Sequence, residues 1–273
     1  MTSSHENSMK SVLFLVSATI LMLLAGCGTM SNGKKWGRDA TFTPGWDRVG
    51  KAAYSALASP LTWGPAVGAA VLQVGDWDRN LAKWASDKTP VFGSQRNADK
   101  WSDYLLYTSG ALYGATALIT PSGATKEEWV VDKMKGFSVG GAALLLTEGS
   151  VELLNVAIKR KRPDGEDYQS FPSAHASIAT SCATLSAKNI EAMNISKSYE
   201  IVSDIGLGVI AAGSSWARVE AKKHYASDVL AGMALGHFLT AFVNDAFLNE
   251  HGSIVPNIDI SRSGFHLAVS WNQ

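Results

Sequence analysis

Two histidines, an aspartate and several arginines lie in three short motifs between residues 155 and 228, and together they could perform phosphoryl chemistry. Phosphoryl transfer depends on positioning and on stabilising charge that spreads over three oxygens. A planar guanidinium can bind two of these oxygens at once and stays protonated. Arg162 and Arg218 are therefore the candidate phosphate-binding residues. The motifs are Asn155-Val-Ala-Ile-Lys-Arg-Lys-Arg-Pro163, Pro172-Ser-Ala-His175 and Arg218-Val-Glu-Ala-Lys-Lys-His-Tyr-Ala-Ser-Asp228.

His224 and Asp228 are four residues apart, a spacing that puts two side chains on one face of a helix. A carboxylate bonded to one ring nitrogen fixes the tautomer and leaves the other nitrogen free to attack phosphorus. For a histidine without such neighbours, a structural role in the core is the alternative.

Ser173 and Ala174 are predicted to open a helix, because Ser170 and Pro172 are helix start signals. A helix N-terminus there would point unpaired N–H groups and a positive dipole end at an anion. The Ser173 hydroxyl would add one donor. A plain helix cap is the alternative, and the two roles are compatible.

These motifs resemble those of the type 2 phosphatidic acid phosphatase superfamily, which also includes class A acid phosphatases and vanadium haloperoxidases. Its pattern is Lys, six residues, Arg-Pro; then Pro-Ser-Gly-His; then Ser-Arg, five residues, His, three residues, Asp. The resemblance spans about residues 150–236. It implies an all-α, single-domain helical bundle of the acid phosphatase and haloperoxidase type. It also implies that His224 is the nucleophile, oriented by Asp228, and that His175 protonates the leaving oxygen.

Three positions depart from the family pattern. Asn155 stands in place of the Lys, Ala174 in place of the Gly, and Ala217 in place of the Ser. Ala174 keeps the backbone N–H, whereas Asn155 removes a cation from the phosphate site. Our hypothesis is that Lys159, one helical turn further along the same face, supplies this charge. The alternative is that the basic residues 159–161 form a solvated run that faces anionic lipid headgroups.

The first residues are typical of a bacterial lipoprotein signal. Lys10 precedes an apolar run over residues 12–24, which is short for a membrane span. The run ends in Leu-Ala-Gly-Cys27, which resembles a lipobox, where the signal is cut before the Cys and its thiol is lipidated. We therefore predict a signal peptide over 1–26 and a lipidated tether over 27–46. An uncleaved anchor is the alternative.

Lipid at Cys27 would anchor the protein to a membrane. The next residue is Gly28 and not Asp, which favours an outer-membrane, periplasm-facing location over the inner membrane. If Cys27 is lipidated, Cys182 stands alone and is predicted to be a buried small side chain.

The rest of the chain predicts one helical domain over 47–250 and a tail over 251–273. Apolar alternation around Ser263-Gly264 indicates a short β-hairpin in the tail. A polytopic membrane enzyme is the alternative to a lipid-tethered, mainly soluble bundle, because runs such as 52–75 and 104–125 lack charged residues. The predicted helices are 47–58, 62–74, 77–86, 100–119, 126–160, 173–191, 197–215 and 224–248.

The motifs favour a metal-independent, membrane-tethered phosphatase that hydrolyses phosphomonoesters, including lipid phosphates, through a phosphohistidine. No cofactor is expected, and vanadate should bind as an inhibitor. The net charge of zero gives no indication of nucleic-acid binding. The sequence contains neither a zinc-ligand pattern nor a Walker phosphate-binding loop. The alternatives are a decayed lipid- or partner-binding lipoprotein, marked by Asn155, and a vanadium haloperoxidase.

Overall fold

The structure, a computed structural model, describes residues 35–248, 255–261 and 264–270. Its described residues form eight helices followed by two short strands, which confirms the all-α bundle. Each predicted helix corresponds to an observed one, although α4 begins at Gln95 and not at 100, and α7 runs on to Glu220. The helices are α1 Trp46–Ala58, α2 Pro60–Leu72, α3 Trp77–Lys88, α4 Gln95–Ile119, α5 Lys126–Ile158, α6 Ala174–Ala192, α7 Lys197–Glu220 and α8 Ala226–Phe247.

Side-chain caps determine where two of the long helices begin. The hydroxyl of Ser94 accepts from Asn97 N at 3.1 Å at the start of α4. Thr125 does the same for Glu128 N at 3.2 Å at the start of α5. Such caps satisfy backbone N–H groups that have no partner within the helix. Ser94 therefore explains why α4 starts earlier than the apolar pattern predicts.

The long helices alternate in direction, so their termini gather at two ends of the bundle. At one end, Asn155 near the end of α5 meets Pro172 before α6, and Gln73 after α2 meets Ser227 at the start of α8. We call this the histidine end, because His175 and His224 lie there. At the opposite, distal end, Thr120 after α4 meets Asn189 of α6.

The bundle interior is built from small side chains, while many large apolar ones face outward. Most of the buried apolar residues are alanines, and buried serines and threonines accompany them. By contrast, Leu145 of α5 is 76% exposed and Val202 of α7 is 67% exposed. Small residues at helix contacts let backbones approach closely, as in membrane proteins.

Some of these helices meet the length and composition needed to cross a membrane. Among the described residues, α5 and α8 are long and apolar enough, and α1 with α2, bent by 51°, would together make a third segment. Large exposed apolar patches mark membrane or protein contacts.

Residues 35–45 pack on the distal end, although we predicted a tether up to residue 46. Trp36 is buried, and its indole N–H donates to Asn189 Oδ1 at 3.0 Å. Thr41 N donates to Phe247 O at 2.9 Å. The indole fits above Gly136, where a Cβ would clash with the ring. The part of the predicted tether before Lys35, with Cys27 and the signal peptide, lies outside the described residues.

The two strands, β1 Val255–Ser261 and β2 Gly264–Ser270, pair antiparallel. Ile258 pairs with Leu267, and Ser261 pairs with Gly264. The strands lie on either side of the position where the apolar alternation places a turn.

Candidate functional site

The three motifs meet at the histidine end, the first two at opposite ends of the α5–α6 connection and the third on the α7–α8 connection. The first occupies the end of α5 and the loop after it, the second the start of α6, and the third the end of α7 with the turn into α8. The helix that was predicted to carry Arg162 ends at Ile158, because Lys159 adopts a left-handed backbone conformation. Arg162 therefore lies in the loop, where Gly165 N donates to its carbonyl at 3.0 Å.

His224 is buried, with only 3% of its surface exposed, and a hydrogen bond from one ring nitrogen fixes the orientation of its ring. Nδ1 donates to the Ser170 carbonyl at 2.7 Å. A carbonyl can only accept, so the proton is on Nδ1 and Nε2 keeps its lone pair. Burial and the charges of Arg218 and Arg162 hold the pKa of His224 well below its usual range. The ring is therefore neutral and nucleophilic at Nε2.

Asp228 does not hydrogen-bond to His224, so this detail of the prediction is wrong. Its Oδ2 lies 4.0 Å from His224 Nδ1. His224 precedes α8, whereas Asp228 sits in the first turn and accepts from Tyr225 N at 2.8 Å, the carboxylate half of a capping box. The same oxygen accepts from Ser170 Oγ at 2.6 Å. Asp228 thus contacts His224 indirectly, through Ser170, whose carbonyl accepts the hydrogen bond from the His224 ring.

His175 pairs with a carboxylate that the sequence did not indicate. It is the second residue of α6, and its Nε2 lies 2.8 Å from Asp103 Oδ1 on α4. Burial and the charge of Arg218 lower the pKa of His175, while Asp103 raises it. Asp103 is far away in sequence and belongs to no motif, so no local pattern could have identified it.

Both predicted phosphate-binding arginines are present and held by acidic partners. Arg218 is buried, and its NH1 donates to Asp99 Oδ1 at 2.6 Å and to Ser102 Oγ at 3.2 Å. Its Nε is buried and has no hydrogen-bond partner among the described residues. Arg162 Nε donates to Asp167 Oδ1 at 2.7 Å. The charges of both arginines lower the pKa of His224, so both guanidinium groups lie near its ring.

Ser173 and Ala174 open α6 as predicted. Ser173 is the N-cap residue and its hydroxyl accepts from Ala176 N, while Ala174 is the first helical residue. Ser173 N donates to Asp228 O at 3.1 Å, which ties this helix start to α8. The first-turn N–H groups of α6 therefore point toward the motif residues, where an anion would be stabilised.

Asn155 and Lys159 are not on one helical face of the site. Asn155 is 6% exposed, and its Nδ2 donates to Val151 O at 3.1 Å. Its Oδ1 is buried and has no partner within the described part of the chain. Lys159 lies beyond the end of α5 with an exposed side chain. The premise that Lys159 replaces the missing cation from the same helix face is wrong.

Arg160 does not belong to a solvated run, the alternative considered for residues 159–161, because its side chain is only 21% exposed. Its guanidinium donates to Asp228 Oδ1 at 2.6 Å and stacks 4.2 Å above the Tyr225 ring.

Within the described residues, no group of three or more His, Cys, Asp or Glu is arranged to hold a metal ion.

Comparison with known proteins identifies the same region of the chain. Residues 139–251 match the family model described as PAP2 superfamily. The chain is 33% identical over 93 residues to a lipid A 1-phosphatase of Porphyromonas gingivalis, an alignment that covers 34% of this chain. The alignment covers only 20% of that relative's length.

The chain is also similar, at low identity, to a solved structure. It is the transmembrane PAP2-type phosphatidylglycerolphosphate phosphatase of Bacillus subtilis, at a TM-score of 0.48 and 23% identity. The match covers 70% of this chain and 94% of that chain.

Proposed function

We propose that this protein, whose residues 139–251 match the PAP2 superfamily model, is a membrane-associated phosphatase that hydrolyses phosphomonoesters through a phosphohistidine on His224. The observation that carries the proposal is the bond from His224 Nδ1 to the Ser170 carbonyl. It leaves Nε2 unprotonated beside two arginines and a second histidine. A neutral, oriented imidazole in a cationic site is suited to attack phosphorus.

The reaction follows from these positions. Nε2 of His224 forms a bond to phosphorus as the bond from phosphorus to the leaving oxygen breaks, and protonated His175 gives that oxygen its proton. Neutral His175 then takes a proton from water, which attacks phosphorus, breaks the N–P bond and releases phosphate. Arg162 and Arg218 stabilise the charge on the phosphoryl oxygens.

The acidic partners of the arginines support this assignment. Asp99 and Asp167, which pair with Arg218 and Arg162, are 47% and 43% exposed in their side chains. Because these carboxylates keep contact with water, separating them from the arginines does not leave a negative charge buried without a partner. A phosphate group can therefore displace the carboxylates, and the unpartnered Nε of Arg218 offers a further donor.

A lipid phosphate is the substrate class that we propose. The apolar faces of α5 and α7 are exposed, and α5 and α8 are apolar enough to cross a membrane. A bundle in a bilayer would receive amphiphilic phosphates from its surroundings. The curated relative is named as a phosphatase of lipid A. A lipid anchor at Cys27 and a periplasm-facing site stay predictions from the sequence.

The test is hydrolysis by the full chain in detergent micelles, with a chelator present. We expect release of phosphate from phosphatidic acid and inhibition by vanadate. We also expect that a phosphoenzyme can be trapped and that its phosphate is acid-labile. His224→Ala should lower the rate at least about a thousandfold, since it removes the nucleophile. His266→Ala, on β2 and outside the motifs, is the matched control.

Other results would favour the two alternatives. Asn155, which is buried and carries no charge, supports a decayed site. Vanadate binding without hydrolysis of phosphatidic acid or of a soluble ester would favour that reading. Oxidation of bromide by peroxide in the vanadate-loaded protein would favour a haloperoxidase.

A further inference from the structure

A buried ion network lies behind His224 and reaches as far as α3. Arg160 NH1 donates to Asp228 Oδ1 at 2.6 Å, and NH2 donates to Asp78 Oδ2 at 2.7 Å. The side chain of Asp228 is fully buried and that of Asp78 is 5% exposed. One guanidinium is therefore shared by two buried carboxylates.

This network continues to the nucleophile through a serine. Asp228 Oδ2 accepts from Ser170 Oγ at 2.6 Å. Ser170 N donates to the backbone carbonyl of Arg160 at 3.1 Å. The Ser170 carbonyl then accepts from His224 Nδ1. Both the side chain and the main chain of Arg160 thus fix the carbonyl that sets the tautomer of His224.

We propose that Arg160, held in place by Asp78, is a positioning residue for His224. It keeps Asp228 and Ser170 in the arrangement that directs Nε2 of His224 toward phosphorus. This inference rests on the proposed function for its kinetic consequence, whereas its structural part concerns the orientation of one imidazole ring.

Arg160 is not placed to bind phosphate itself. NH1 is shared between Asp228 and Ser227, NH2 is bonded to Asp78, and Tyr225 covers one face of the guanidinium. Because its donors already bond to buried carboxylates, the Arg160 guanidinium orients other site residues and does not contact the substrate. Supporting groups of this kind orient the residues that act on a substrate.

The geometry also requires an arginine. The planar fork spans two carboxylates at fixed angles, while a lysine ammonium is a single point charge on a flexible stem. Without the guanidinium, Asp78 and Asp228 would remain buried close to each other without a cation. Loss of one member of a buried pair is strongly destabilising, so Asp228 would take up a proton or turn away from Ser170.

Asp78 makes α3 part of this support. Its Oδ1 accepts from Ser227 N at 2.9 Å, and Oδ2 accepts from the Ser227 hydroxyl as well as from Arg160. These bonds fasten the start of α3 to the start of α8. The position of Arg160 is therefore set from two helices, and Asp78→Asn should weaken the same orientation.

The experiment compares Arg160→Ala, Arg160→Lys and Asp78→Asn with two control variants of α3. Arg79→Ala and Asp87→Asn remove a charge of the same kind from exposed ion pairs on that helix. Two readouts are measured for each protein: kcat and KM on phosphatidic acid, and the ¹⁵N chemical shifts of His224, assigned through His224→Ala.

We expect wild type to show the Nδ1–H tautomer of His224. Arg160→Ala should lose that signature and lower kcat about 10- to 100-fold, the usual effect of losing a supporting partner. KM should stay within about threefold, since the substrate does not touch Arg160. Arg160→Lys should retain part of the activity, and both control variants should match wild type.

Several results would overturn the inference. One is an unchanged tautomer and kcat in Arg160→Ala, and another is a raised KM at unchanged kcat, which would make Arg160 a substrate ligand. If Arg160→Ala does not fold, wild-type values in both Arg160→Lys and Asp78→Asn would be decisive against it. If wild type hydrolyses nothing, the proposed function fails, and the tautomer of His224 alone decides this inference.

Discussion

At the residue level, a backbone carbonyl orients the candidate nucleophile, and side chains act on that carbonyl from behind. The Ser170 carbonyl accepts from His224, and the Ser170 hydroxyl donates to Asp228. A change at Asp228 therefore reaches His224 through a shift of the loop. The acid, His175, is held differently, because Asp103 contacts its ring directly.

This difference predicts a specific pH effect for Asp103→Asn. Asp103 raises the pKa of His175, so its neutralisation should lower that pKa further. The acid must be protonated, and the high-pH limb of kcat/KM should therefore move to lower pH. The low-pH limb, set by His224, should stay where it is. The pH profile of phosphatidic acid hydrolysis measures both limbs.

An unchanged high-pH limb in Asp103→Asn would show that another group protonates the leaving oxygen. Asp87→Asn, an exposed carboxylate of α3 paired with Lys83, serves as the control.

Restoring the missing cation should strengthen binding of a phosphate analogue. Asn155→Lys puts an ammonium beside the start of α6, and a charge-assisted hydrogen bond contributes about 1.5–3 kcal/mol. We expect vanadate to bind at least about tenfold more tightly, as measured by inhibition. Lys159→Ala should leave vanadate binding unchanged, because that side chain is exposed beyond the end of α5.

The control for Asn155→Lys is Glu152→Lys, which changes an exposed residue of the same helix. Equal tightening in both variants would indicate a long-range charge effect and not a direct contact.

At the level of the elements, close packing of α6 on α8 sets the distance between the second and third motifs. A Cβ on Gly236 would lie 2.3 Å from Ser177 O, and one on Gly232 would lie 2.6 Å from Ser173 O. Both glycines therefore let α8 approach the N-terminal part of α6. Glycines spaced in this way allow helix backbones to come close together.

Gly236→Ala should consequently separate the two helices. Overpacking of this kind costs about 1–3 kcal/mol, and the shift should also lower kcat because His175 moves relative to His224. Thermal unfolding and phosphatidic acid hydrolysis measure the two effects. Gly206→Ala on α7, where a Cβ meets open space, should keep wild-type hydrolysis and should not lower the unfolding temperature, since alanine favours a helix over glycine.

Local patterns in the sequence identify the helices and the motif residues but not the partners of those residues. Helix starts follow from caps such as Ser173, and the motifs indicate Arg162, Arg218, His175 and His224. By contrast, Asp78, Asp99 and Asp103 come from α3 and α4, and only tertiary packing brings them to the site. The role of Arg160 was missed because a basic run resembles a solvated surface until its buried acceptors are known.

At the level of the whole molecule, the arrangement of side chains favours a bundle that lies in lipid. Alanines and hydroxyl residues fill the interior. Large apolar residues such as Leu145, Leu153 and Val202 cover the outside. In water this surface would be unfavourable, because exposed apolar patches of such extent promote association. In a bilayer it faces hydrocarbon.

This arrangement predicts that membrane attachment does not depend on an acyl chain. Cys27→Ser, which removes the predicted lipidation site, should leave the protein in the membrane fraction after carbonate extraction. Release of Cys27→Ser but not of wild type would instead support a soluble, lipid-tethered bundle. Gly28→Ser is the matched control, since it changes the neighbouring residue and keeps the thiol.

Burial of Trp36 bears on which side of a membrane each end of the bundle faces. Trp36 is fixed at the distal end, and its position beside Gly136 lies about 33 Å along α5 from Ile158, at about 1.5 Å per residue. Eight residues lie between Cys27 and Trp36. If the bundle crosses a bilayer and Cys27 is lipidated near Trp36, the distal end lies in the compartment that lipidates Cys27 and the histidine end lies on the other side, so that a lipid anchor at Cys27 and a periplasm-facing site exclude each other.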